Sequence, residues 1–305
     1  MNRVRIKLGA DYAHAKGLYG NGIGVAILDS GILPHPDFVQ NGNRILCFVD
    51  FTGEQKIECN TGYFDPAGHG THVAGILCGD GAASGGKYCG IAPKSHMVCC
   101  RILNQRGEGS AETVGAAIHW VISKKNEYGI RILNLSFGST DNDTAAAREL
   151  NGLAEEAWDS GLVVIASSGN SGPGPGSVTA PGSAKKVITV GGDAMELRPG
   201  RGPTDESIMK PELIAPSLQI MSTSADMQGS SGRIRWYYTK RSGTSMATPM
   251  VSGAVAVLLG YRPKLSNRDV KEILKRSAVP YNFPKEMQGW GMVNIRNMLR
   301  EADRI

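Results

Sequence analysis

Three side chains set far apart in the sequence could together do nucleophilic chemistry: the carboxylate of Asp29, the imidazole of His69 and the hydroxyl of Ser245. A serine hydroxyl is a weak nucleophile until a neighbouring base takes its proton. An imidazole does this at neutral pH when a carboxylate fixes its tautomer. Each residue also has a plainer reading. Asp29 follows the apolar run GVAIL and precedes Ser30-Gly31, where a carboxylate is either a functional group or a helix cap. His69 lies in GHGTHVAGI, bracketed by Gly68 and Gly70, with His72 three residues on. Such a pair could hold a metal and, with Asp29, serve a metal-dependent hydrolase, but no H-E-x-x-H pattern accompanies it. His72 is read as a packed histidine beside the base. Ser245 lies in SGTSMATPMVSGAVAVLL. Gly243 permits a tight entry, and Pro249 is tolerable only near a helix's first turn, which puts Ser245 at the N-terminus of a buried helix. There its backbone N–H and the helix's positive end can face an oxyanion. Taken alone, Ser245 could equally be a cap.

The elements that must position these groups follow from hydrophobic patterning. Gly24–Leu28, Met97–Leu103, Ile130–Leu135, Leu162–Ala166 and Val187–Val190 are short apolar runs that read as buried parallel strands. Val114, Ala117, Ile118, Val121 and Ile122 mark one face of a helix capped by Ser110. Ala145–Trp158 reads as a second helix, ended near Gly161, and Ser266-x-x-Asp269 opens a third that runs through Arg276. Strand–helix alternation of this kind predicts an α/β fold, a mostly parallel sheet covered by helices on both faces. The Gly/Pro/Ser-rich stretch Gly169–Gly182 sits between two core strands and reads as a shaped functional loop.

The motifs GVAILDSG, GHGTHVAG and SGTSMATPMVSG occur in the order Asp…His…Ser, which is the order found in subtilisin. Over the stretch from about Gly20 to GWGMVNI (Gly289–Ile295), the sequence resembles the subtilase family of serine proteases. GILPHPDF, GAASGGKYCGIAP, ILNQRGEGS, AEEAWDSGLVVIASSGNSGP and GRGPTDESIMKPELIAP look like the AprX-type intracellular subtilases of bacteria. The resemblance implies a three-layer α/β/α, subtilisin-like fold and serine endopeptidase activity. Asp29, His69 and Ser245 would be the triad, and Asn170 in VVIASSGNSGP the side-chain oxyanion donor, where a turn-forming asparagine is the plain alternative. It also implies a cleft in which peptide pairs with Leu135–Gly138 and with the chain near Ile102–Gly107. The primary pocket would be walled by Ser136, Phe137, Gly138, Ser167, Ser168, Gly169 and Thr179, small walls that predict broad specificity with large apolar side chains accepted. No cofactor is expected in the chemistry. Structural calcium is expected at Asp37 in HPDF and at Asp80 in the Gly79–Gly90 loop, with a solvated Asp37 as the alternative. Fewer than thirty residues precede Asp29. Secreted relatives fold with a long prosegment, so this chain is expected either to fold unaided or to have one outside the given sequence. A catalytically silent binding protein on the same fold would show a broken triad or lack the oxyanion asparagine, and all four positions are intact here.

Composition bounds the rest. With 305 residues, 41% hydrophobic and 20% charged, the chain suits a soluble protein with residues 1–305 as one catalytic domain. The net charge of +5 is dispersed, with Lys124-Lys125, Lys185-Lys186 and Lys240-Arg241 the densest pairs. Nothing there reads as a phosphate-binding stripe, so nucleic acid is not expected, and the resemblance implies polypeptide substrates as the partners. The longest apolar candidate, Met250–Gly260, falls short of the roughly 18 residues of a membrane span. Gly20-x-Gly22-x-Gly24 precedes its strand, whereas a dinucleotide site needs the glycines after it. The N-terminus lacks an apolar leader and the six cysteines form no C-x-x-C pair, so reduced thiols and a cytoplasmic location are expected. Composition does not speak to oligomeric state.

Overall fold

The computed structural model describes residues 1–53, 57–59, 62–139, 145–204, 207–226 and 236–305. Its strands are β1 (Gly24–Asp29), β2 (Ile45–Asp50), β3 (Ile57–Cys59), β4 (His96–Arg101), β5 (Ile130–Leu135), β6 (Val163–Ser167), β7 (Ile188–Gly192), β8 (Leu213–Ala215), β9 (Ile220–Thr223) and β10 (Tyr238–Arg241). The helices are α1 (Asn2–Leu8), α2 (Ala10–Ala15), α3 (Pro36–Val39), α4 (His69–Cys78), α5 (Ala111–Lys124), α6 (Ala145–Asp159), α7 (Thr244–Tyr261), α8 (Asn267–Ser277), α9 (Lys285–Gln288) and α10 (Ile295–Ala302).

Eight strands form the main sheet in the order β3-β2-β4-β1-β5-β6-β7-β8. All neighbours are parallel except β3, which runs antiparallel to β2 at the edge. Every residue of β1, β6 and β7 is buried, as a sheet covered on both faces requires. Helices α4 and α7 pack on each other, as do α5 and α6, giving the two outer layers. The order doubles back at β1, with β2 and β4 on one side and β5 to β8 on the other. Asp29, the last residue of β1, therefore stands at the carboxyl end of the strand where the winding reverses, which is where α/β sheets open a crevice.

The expected caps are present: Ser110 Oγ accepts from Thr113 N at 3.1 Å, and Ser266 with Asp269 forms a capping box. Gly161, at φ 95°, lies just beyond α6. Helix α7 has the length and hydropathy of a membrane span, yet 83% of that window is buried inside the protein. It is a core helix. In α4 every residue after His69 is buried, and in α7 only Ser245, Gly260 and Tyr261 are not. Two otherwise submerged helices thus bring an imidazole and a hydroxyl to the surface at their N-termini.

Candidate active site

His69 Nδ1 lies 2.7 Å from Asp29 Oδ1. Asp29 is buried and also accepts from Ser30 N at 2.7 Å. An ionised carboxylate can only accept, so Nδ1 carries the proton and Nε2 keeps its lone pair. The close approach of the two segments depends on Gly70, where a Cβ would stand 2.1 Å from Gly31 O. Burial opposes protonation of His69, but the charge and hydrogen bond of Asp29 outweigh it, and the imidazole pKa is raised. Arg241, whose Nη2 donates to Ala67 O at 2.8 Å, pulls the same pKa down.

A further carboxylate, which carried no role in the sequence reading, holds this arrangement. Asp65 is buried and accepts from Gly68 N at 2.8 Å, Thr71 N at 2.7 Å, Thr71 Oγ1 at 2.6 Å and Ser30 Oγ at 2.7 Å. Ser30 Oγ in turn accepts from Gly70 N at 3.0 Å. Asp65 thus occupies the free N–H groups of the first turn of α4 and ties that turn to the residue after Asp29. The signal was present in the sequence as an aspartate four residues before a helix start.

Ser245 is the second residue of α7. Pro249 lies one turn deeper than the sequence suggested, at the sixth position. The helix tolerates it because only the rung that would join its nitrogen to Ser245 O is lost. Thr248 Oγ1 bonds Thr244 O at 2.9 Å beside that gap. Asn170 lies beside this turn, its Oδ1 accepting from Thr244 N at 3.1 Å and Thr244 Oγ1 at 3.3 Å. Those bonds fix the amide so that Nδ2 is the free end. Nδ2 lies 3.4 Å from where a Cβ on Gly243 would stand. Asn170 is therefore bound to the helix start, not to a turn of its own. Among the described residues Ser245 Oγ makes no hydrogen bond to His69. Such bonds commonly tighten only when substrate is present.

Ser245 and Asn170 line a cavity of about 310 Å³ together with Gly138, Ser139, Ser167, Gly169, Ser171 and Thr179. A Cβ on Gly169, at φ 80°, would come 2.4 Å from Thr179 Oγ1, so the pocket's width depends on the missing side chain. Ser167 Oγ bonds Phe137 O at 2.8 Å and fixes one wall. Ser168 is fully buried behind the pocket, its N–H bonded to Val190 O at 2.9 Å. Ser136 and Phe137 face a neighbouring cavity of about 340 Å³, which His69, Arg106 and Arg241 also line. Phe137 and Gly138 then continue into a third space of about 620 Å³, bounded by Leu103, Val114, Ala147 and Leu150. Leu103 falls in the stretch where peptide was expected to pair, whereas Val114 of α5 and Ala147 and Leu150 of α6 were not expected at the cleft. The three cavities share Gly138 and form a groove past His69 and Ser245.

The histidine pair is no metal site. His72 is buried and its Nε2 faces Ile220 O at 3.0 Å and Thr239 O at 3.2 Å. It donates there, and burial beside Arg241 drives its pKa down to about 3. Among the described residues no three His, Cys, Asp or Glu side chains form a group that could hold a metal. Asp37 is buried, with Oδ1 accepting from Ala83 N at 3.0 Å and Tyr238 OH lying 2.8 Å from both oxygens. Asp80 Oδ1 accepts from Ala82 N at 2.9 Å and Oδ2 from Asn41 Nδ2 at 3.0 Å. Both carboxylates are bonded within the protein rather than solvated.

Comparison with known proteins agrees with this geometry. The profile described as Peptidase_S8, Subtilase family, matches residues 20–291. The chain is 34% identical to serine protease AprX of Bacillus subtilis (strain 168) over 302 residues, covering 92% of this chain and 66% of that protein. It is 31% identical to subtilisin Savinase of Lederbergia lenta over 291 residues, covering 95% of this chain and 96% of that one. Among solved structures it is similar to sphericase, with a TM-score of 0.76 and 27% identity over 92% of this chain and 96% of that one. The S41 psychrophilic protease gives 0.74 and 28% over the same shares.

Proposed function

The chain belongs to the subtilase family, and from that premise we propose that it is a serine endopeptidase that cleaves polypeptides through an acyl-enzyme on Ser245. The observation that carries this reading is the 2.7 Å bond from His69 Nδ1 to the buried Asp29, which leaves Nε2 as the open base. Ser245 Oγ attacks the peptide carbonyl carbon and passes its proton to Nε2. As the C–N bond breaks, His69 returns that proton to the leaving amine. Water, deprotonated in the same way, then displaces Ser245 from the ester and releases the carboxylic acid. The negative oxygen of each tetrahedral intermediate accepts from Asn170 Nδ2 and the Ser245 backbone N–H. Apart from the substrate and water, every group in these steps belongs to the polypeptide, and the steps call for no cofactor.

The side chain preceding the scissile bond would enter the cavity beside Asn170, whose small walls favour broad tolerance of large apolar groups. Thiols outside any disulfide at Cys78, Cys89 and Cys99 favour a reducing, cytoplasmic location. In the test, a serine-directed sulfonyl fluoride adds its sulfonyl mass to the peptide containing Ser245 and abolishes hydrolysis of a peptide amide, and Ser245→Ala is inactive and unlabelled. Full peptidase activity in Ser245→Ala refutes the proposal.

A further inference from the structure

The likeness to subtilases implies calcium between Asp37 and the Gly79–Gly90 loop, but the residues there do not fit one. Calcium takes six to eight oxygen ligands whose lone pairs converge on it. Here the oxygens are already facing hydrogen-bond donors. The Asp37 carboxylate takes Tyr238 OH and Ala83 N, and the Asp80 carboxylate takes Ala82 N and Asn41 Nδ2. Four backbone carbonyls in and beside the loop, those of Asp37, Cys78, Gly86 and Cys89, accept from arginines. The guanidinium of Arg44 donates through Nη1 to Cys78 O and through Nη2 to Asp37 O. Its Nη1 is 3.5 Å from Ser95 O and its Nη2 3.8 Å from Asp80 Oδ2. Arg5, from α1, donates from Nη1 to Gly86 O and Cys89 O, each at 3.3 Å. Its Nε sits 3.0 Å from Asp11 Oδ1.

We infer that Arg44 and Arg5 are the built-in cations of the Gly79–Gly90 loop, and that this protein holds the loop without calcium. The planar guanidinium suits the task, because its donors fan out to several carbonyls at once and its charge is permanent. Arg44 also places that charge against Cys78 O, the last carbonyl of α4, where the helix's negative end favours a cation. The same helix carries His69 at its other end. Cations tied to the polypeptide cannot be removed by a chelator.

The experiment follows thermal unfolding in the Ser245→Ala background, so that self-digestion does not contribute. Without further change, Tm is expected to be the same in EDTA and in millimolar calcium chloride. Arg44→Met is expected to lower Tm by roughly 5 °C or more, from the loss of charge-assisted bonds to carbonyls. If Arg44→Met does not fold, Arg44→Lys is measured instead. A single ammonium cannot reach both carbonyls in the fork geometry, so its Tm is expected to fall as well. An unchanged Tm in whichever variant folds overturns the inference. So does a calcium-dependent rise in Tm that Asp80→Asn abolishes; a rise that Asp80→Asn leaves in place belongs to another site, and the loop assignment stands.

Discussion

Replacing Asn170 by aspartate separates two tasks of one side chain. In the native protein Oδ1 receives Thr244 N at 3.1 Å and Thr244 Oγ1 at 3.3 Å, while Nδ2 is left to donate into the cavity. Aspartate keeps the acceptor and adds negative charge at the start of α7, a position worth about 0.3–1 kcal/mol to a helix. Folding stability is therefore expected to hold or rise. The donor, however, is gone, and an anion faces the developing oxyanion. Loss of the corresponding donor in subtilisin costs about 2.7–4 kcal/mol of transition-state stabilisation. At 1.36 kcal/mol per tenfold this is a fall of about 10²–10³ in kcat, and the added charge makes that a lower bound for Asn170→Asp. The assay is turnover of a chromogenic peptide amide at saturating substrate, with Tm measured on the same preparation. If kcat stays within a factor of ten while Tm is unchanged, Asn170 is a helix-start ligand and nothing more.

The acid limb of kcat/KM should respond to the two charges flanking His69 in opposite senses. Arg241 lowers the imidazole pKa and Asp65 raises it. Arg241→Gln therefore raises that pKa, protonates the base earlier on acidification and moves the limb to higher pH. Asp65→Asn moves it to lower pH. Shifts of the same sign in pH–rate profiles would refute this electrostatic account. Gly253 in α7 has no room for a methyl group, since a Cβ there would lie 2.6 Å from Ile91 Cβ and 3.3 Å from Leu77 O. Gly253→Ala should cost about 1–3 kcal/mol through forced separation of α7 from α4 and its following loop. Denaturant unfolding with an unchanged midpoint would show that the contact can relax.

The sequence revealed most clearly what local chemistry decides. β1 is legible because all its residues are buried in a parallel sheet, and α8 because Ser266 and Asp269 cap each other three residues apart. The positions of Asp29, His69 and Ser245 stand out because each is a polar residue at the mouth of an apolar segment. What could not be read depends on distant partners. β10 is half exposed and mixed in character, and becomes a strand only by pairing antiparallel with β9. Nothing in the run NGNR marks Arg44 as the partner of carbonyls 34 and 51 residues further on. Val114 and Leu150 line the groove only because α5 and α6 lie side by side. Asp37 and Asp80 show the same limit from the other direction, since their spacing was visible but the donors surrounding them were not.

The lost rung at Pro249 has a mechanical consequence. With Pro249 offering no N–H to Ser245 O, the opening turn of α7 has one bond fewer to the body of its helix, while Thr244 ties it to the neighbouring loop at Asn170 and Gly169. Asn170 and the turn that carries Ser245 are thus bonded to each other, so in the proposed mechanism the hydroxyl and the oxyanion donor are held by one local link rather than by two separate elements.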